Sequence, residues 1–224
     1  MDRIIAIDNL RGIAFIFMVI QHIFYFYDVS NLYKTSLSKN ILISSSGMIA
    51  RCMFIFLAGL SLSLVKDKKI NLGKRLNRSL LILFHAFAIS IVTYLLYPEV
   101  FVRFGILHFI GIATLICSFL VPYPKLLFFV AIISVLFKFP SINPFIDTIT
   151  GSQVHYNMMD WFPLFPWISL MIIGILFGQL IDLKFLNQIK LLSNNNFITF
   201  LGENSLELYT IHIILLILFY SLKK

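Results

Sequence analysis

Charge is scarce in this chain: Asp, Glu, Lys and Arg make up 12% of its 224 residues, about half the share found in ordinary soluble domains. Acidic side chains are the scarcer kind, 10 against 18 basic ones, which leaves a formal net charge of +8. Only two cysteines occur, Cys52 and Cys117, both inside apolar runs. That placement argues against a disulfide scaffold and makes each a small buried hydrophobe. No HExxH, CxxC or carboxylate cluster marks a metal site. A Gly-rich phosphate loop, a dinucleotide fingerprint and a GxSxG nucleophile elbow are absent as well. The basic residues form no free arm and no patch interleaved with aromatics, which speaks against nucleic acid as a partner.

What is present is apolar. Hydrophobic residues account for 59% of the chain, 24 of them Phe, and the mean hydropathy is +0.93. This composition predicts an all-α, polytopic transmembrane helical bundle of about seven spans, a single domain over residues 1–224 surrounded by membrane lipids. Asp8 and Asn9 interrupt the first apolar run and six comparable runs follow, so that run reads as a span and not as a cleaved signal. The expected helices cover residues 5–27 (or 11–27), 41–65, 79–97, 104–121, 126–139, 166–183 and 200–220. Between the fifth and sixth, residues 140–165 form the longest connection, with prolines that break any continuous helix. An extra or re-entrant segment there is compatible with the sequence, and so is a homo-oligomer.

Orientation follows from the loop 66–78, which carries Lys66, Lys68, Lys69, Lys74, Arg75 and Arg78. The positive-inside rule puts it in the cytoplasm, and hence the N-terminus too, in a cell-membrane protein. Arg11 then lies at the cytoplasmic end of the first helix. His22, eleven residues on, is about 16 Å deeper at the helical rise, roughly half the hydrocarbon thickness.

Ionisable groups at such depth mark a cavity or a partner. His22 is the leading candidate base, since imidazole gains and loses a proton near neutrality; the alternative is a histidine bonded within a membrane core. His108, Arg103 and Asp160 fall toward the exterior, with Arg51 reaching toward them from the second helix. Asp8 and Arg11, three residues apart, suit either a structural helix start or a phosphate contact. His212 suits a hydrogen bond within the bundle or a role in donor binding. Lone spacings go no further than a membrane protein with an internal polar site.

Four blocks take the reading beyond that: RIIAIDNLRGIAFIFMVIQH at 3–22, RCMFIFLAGLSLSL at 51–64, RFGILHFIGIA at 103–113 and DWFPLFPWISLMIIGILFG at 160–178. With LGENSLELYTIHIIL at 201–215, they resemble the heparan-alpha-glucosaminide N-acetyltransferase catalytic-domain family, within the wider transmembrane acyltransferase group. The resemblance implies transfer of an acetyl or other acyl group from cytoplasmic acetyl-CoA or acyl-CoA to a sugar or glycolipid acceptor at the external face. It implies His22 as the activating base; His108 and Asp160, placed toward the exterior, are the further catalytic candidates. On that resemblance Arg51, Arg103 or His108 would stabilise the developing oxyanion and Arg11 would contact the donor, with the basic loop 66–78 as a secondary attractor; Asp8, paired with Arg11, and His212 are the further donor-binding candidates. No metal is implied. The chain is shorter than the typical sugar acetyltransferase and lacks the large amino-terminal lumenal domain of the animal enzyme, so heparan sulfate itself is a poor substrate expectation. A small transporter or proton-coupled permease, and a non-catalytic membrane subunit, are the rival readings.

Overall fold

A computed structural model describes residues 4–29, 37–64, 72–180 and 196–222. Nine α-helices occur among them: α1 (Ile5–Val29), α2 (Ile41–Ser63), α3 (Leu72–Leu96), α4 (Ile106–Leu120), α5 (Pro124–Leu136), α6 (Pro144–Thr150), α7 (Ile168–Leu180), α8 (Asn196–Glu203) and α9 (Ser205–Ser221). No strand is formed among the described residues. The chain is an all-helical membrane bundle, and α3 shows why. Its Leu80, Phe84, Phe87, Ile91 and Leu95 are each more than half exposed, while Arg75, Ser79, Ile82, Ala86, Ile89 and Thr93 are buried. From Leu80 to Leu95 the exposed face is apolar at helical spacing, while the buried face mixes apolar side chains with the polar Arg75, Ser79 and Thr93, the arrangement of a helix solvated by lipid.

Each expected apolar run contains helix among its described residues, but the lengths differ from expectation. α1, α2 and α3 are long and apolar enough to cross a membrane, and the α8–α9 pair makes a fourth if its two bent parts count as one span. α4 has 15 residues and α5 and α7 have 13 each, about 20 to 22 Å at the helical rise and short of a bilayer core of about 30 Å.

Two corrections concern helix boundaries. α3 begins at Leu72, so Lys74, Arg75 and Arg78 are helical and not part of a loop. The buried Arg75 directs Nη1 at the Ser118 carbonyl, 2.9 Å away near the C-terminal end of α4, where a helix presents negative partial charge. Lys66, Lys68 and Lys69 lie outside the described residues, as do the connection 184–195 and the terminal lysines. The expected seventh helix is broken: α8 and α9 meet at 79°. Asn204, between them, gives its side-chain amide to the Phe200 carbonyl at 2.8 Å.

The chain divides into two compact units, Met1–Phe54 with Asp182–Lys224, and Ile55–Ile181, the division falling inside α2. In the first, α8 lies on the start of α1 at backbone distance. A Cβ on Gly12 would collide with the Ile198 carbonyl and one on Gly202 with the Asp8 carbonyl, the close approach that small residues permit in membrane bundles. In the second, Gly59 and Gly174 bring the end of α2 and α7 together in the same way, against the carbonyls of Met171 and Phe56.

Within residues 140–165 the structure places the short α6. Asn143 caps it by accepting the Ile146 N–H at 2.9 Å, and Pro144 occupies the first turn, where no N–H is needed. Gly151 ends it with φ of 90°, a left-handed conformation that a side chain would oppose.

Candidate functional site

In the first unit, α1 supplies three of the expected polar residues from one helix. Asp8 is buried, 4% exposed, and its Oδ1 accepts from Arg11 Nη1 at 2.9 Å. Asn9, beside it, accepts the Thr199 hydroxyl of α8 through its side-chain oxygen at 2.5 Å. The cytosol-facing end expected from the sequence is thus a tied corner of α1 and α8.

Four turns along α1, His22 meets a residue that the sequence gives no means of pairing with it. His22 Nδ1 lies 3.0 Å from His212 Nε2 of α9. The two ring planes are 24° apart and their centroids 5.2 Å apart. The centroid separation exceeds the nitrogen separation by about two ring radii, so the imidazoles meet edge to edge along an in-plane hydrogen bond. His212 Nδ1 is 3.0 Å from the Leu208 carbonyl oxygen.

These two contacts fix the protons. A carbonyl only accepts, so His212 Nδ1 carries a hydrogen, and in the neutral ring Nε2 is then the acceptor. His22 Nδ1 therefore donates to it, and the lone pair of His22 is left on Nε2. Tyr209 closes one side, with its ring 5.9 Å from His22 and 5.3 Å from His212; Phe15 sets its ring edge-on to His212 at 5.4 Å. The Arg51 guanidinium lies within electrostatic reach of His22. His212, expected at the donor, has both ring nitrogens engaged inside the chain.

The second unit gathers His108 and Asp160 at the start of α4. Asp160 Oδ2 accepts the Ile106 N–H at 2.8 Å, a carboxylate where the helix presents positive partial charge. Gly105 leaves it room, since a Cβ there would stand 2.5 Å from that oxygen. His108 Nδ1 accepts the Gly105 N–H at 3.2 Å. Its Nε2 faces Ser90 Oγ at 3.3 Å, and that hydroxyl donates to the Val102 carbonyl at 2.6 Å. Since the hydroxyl has one hydrogen, His108 Nε2 is the donor to it. Both nitrogens of His108, which is 4% exposed, are occupied by the protein, so it organises the entry to α4 and has no ring nitrogen left for a substrate.

Arg103 is held by its faces, with its guanidinium carbon 4.1 Å from the Phe101 ring centre and 4.3 Å from that of Tyr156. His22, Arg51 and His212 are thus assembled in one unit and His108, Asp160 and Arg103 in the other.

One cluster escaped the sequence. Asp147 of α6, with no exposed surface, accepts the Ser141 hydroxyl at 2.6 Å, the Ile142 N–H at 2.9 Å and His155 Nε2 at 2.6 Å. The Ser141 hydroxyl bond, foremost, holds its carboxyl below the usual range, and the Ile142 and His155 bonds add to this against the opposing effect of burial. Eight residues separating an Asp from a His around a glycine turn match no motif. Among the described residues no three His, Cys, Asp or Glu side chains are grouped to hold a metal ion.

Comparison with known proteins adds a decisive finding over nearly the whole chain. The family described as heparan-alpha-glucosaminide N-acetyltransferase, catalytic, matches residues 3–214. No curated protein and no solved structure matches. The match takes in α1 with His22 and α9 through His212, and the chain belongs to the heparan-alpha-glucosaminide N-acetyltransferase catalytic family.

Proposed function

We propose that this protein transfers an acetyl or other acyl group from cytoplasmic acyl-CoA to a hydroxyl or amine of a sugar or glycolipid presented at the external face, with His22 as the base. The observation that carries this reading is the hydrogen-bonded run from the Leu208 carbonyl through His212 to His22, which leaves an oriented lone pair on His22 Nε2. A base needs its proton acceptor held toward the reacting group, and a partner that fixes ring and tautomer provides this.

His22 Nε2 takes the proton from the acceptor as its oxygen or nitrogen bonds to the thioester carbonyl carbon. Arg51 supplies positive charge where the carbonyl oxygen becomes negative. The carbon–sulfur bond then breaks, and the proton held by His22 returns to the departing sulfur. The products are the acylated acceptor and free CoA thiol. His212 positions His22 and shares the charge it gains. Arg11, steadied by Asp8, attracts the phosphates of CoA on the cytoplasmic side. The N-terminus is cytoplasmic in this proposal and the membrane is the cell membrane.

The test is acyl-CoA binding and CoA release by the purified protein, with a panel of aminosugars and glycolipids. Turnover that depends on one of these acceptors supports the reading. Failure to bind or consume any acyl-CoA, together with accumulation of a solute in vesicles, overturns it in favour of a transporter.

A further inference from the structure

Arg11 has a carboxylate partner; among the described residues Arg103 has none. Among the described residues no oxygen accepts a hydrogen bond or forms an ion pair with the Arg103 guanidinium, and its Nε is buried without a partner. Two aromatic rings hold it instead, Phe101 and Tyr156, at 4.1 and 4.3 Å from the guanidinium carbon. Such contacts engage the face of the cation and leave its hydrogens, which lie in the plane, to other partners.

The frame around it is fixed. Met159 N–H bonds the Val100 carbonyl at 2.8 Å and Phe162 N–H the Phe104 carbonyl at 2.9 Å, so the chain on either side of Arg103 is tied to the segment that follows Tyr156. His155, next to Tyr156, is anchored on Asp147 at 2.6 Å. A guanidinium keeps its charge at every accessible pH and offers five donors in a rigid plane that matches an anion with two oxygens.

We propose that Arg103 is an anion-binding site, built to take a phosphate or carboxylate group, whether that group sits on a soluble sugar or on a membrane lipid. The binding of the anion stands independently of the acyl-transfer reading. Phe101 and Tyr156 orient the guanidinium before the ligand arrives, which reduces the ordering required on binding.

The experiment uses the full chain in nanodiscs of neutral phosphatidylcholine, without acyl-CoA, and compares glucose with glucose 6-phosphate and dodecanol with dodecyl phosphate. The phosphorylated member of at least one pair is expected to bind about tenfold or more tightly than its neutral partner, and Arg103→Gln to remove that preference. Preference confined to glucose 6-phosphate assigns the anion to a soluble ligand, and preference confined to dodecyl phosphate to a lipid. Tyr156→Leu, which frees one contact of the guanidinium and keeps its charge, is expected to weaken the phosphorylated ligand severalfold and leave the neutral one unchanged. Equal binding within both pairs, or a preference that survives in Arg103→Gln, overturns the proposal; where Arg103→Gln does not fold, an unchanged preference in Tyr156→Leu does so. Acyl transfer is read separately, so a protein that transfers without this preference, or binds the anion without transferring, tells the two readings apart.

Discussion

His22 Nδ1 and His212 Nε2 stand 3.0 Å apart although 190 residues separate them in the chain. Since His212 Nδ1 is committed to the Leu208 carbonyl, the tautomer of both rings is set. Nitrogen-15 spectra of the histidine-labelled protein are expected to show the neutral His22 ring protonated at Nδ1 and bare at Nε2. In His212→Ala that preference should relax, while kcat falls about tenfold to a hundredfold and KM for acyl-CoA stays near its original value. A change confined to KM would instead make His212 a donor contact.

Gly202 faces the Asp8 carbonyl, with Gly12 N 3.0 Å from where a Cβ would stand. Backbone on both sides leaves little room to yield. Gly202→Ala is expected to lower stability by about 1–3 kcal/mol through overpacking, visible as a lower thermal midpoint in detergent.

How far these contacts were legible in the sequence depends on their range. The apolar runs announce themselves because each span must be continuously apolar in lipid. The break between α8 and α9 did not, because apolar residues continue on both sides of Gly202 to Ser205 and the polar cluster reads equally well as a helix start. What distinguishes it is tertiary: the side chain of Asn204 takes the Phe200 carbonyl, and Gly202 is pressed on α1. The early start of α3 was hidden for a related reason, since Arg75 looks like a loop charge until Ser118 is placed beside it. His22 and His212 were each singled out alone, by depth and by family pattern, but sequence spacing carries no information about two rings on different helices.

His108→Ala should act on stability. It strips the Gly105 N–H of its acceptor and Ser90 of its donor, and leaving such buried groups unsatisfied costs about 1–3 kcal/mol. Thermal unfolding against the parent protein reads this directly, and an unchanged midpoint would refute the capping role.

Asp147 makes the 140–165 segment sensitive to acid. Its folded carboxyl is held below the usual value, led by the Ser141 hydroxyl bond. Its contribution to stability is therefore complete above the unfolded carboxyl value of about 3.9 and is lost as pH falls through the lower folded value. Limited proteolysis within 140–165 across pH 2–7 should show protection that fails only at the acid end of this range. Asp147→Asn should be cleaved faster than the parent at neutral pH and lose the carboxylate's share of the acid transition.

The most direct test of the central claim is the rate of CoA thiol release by His22→Gln, with acyl-CoA binding measured on the same preparation. Loss of the base predicts retained acyl-CoA binding and turnover lowered by about 10² to 10⁴. Turnover at the parent rate in His22→Gln would contradict the account.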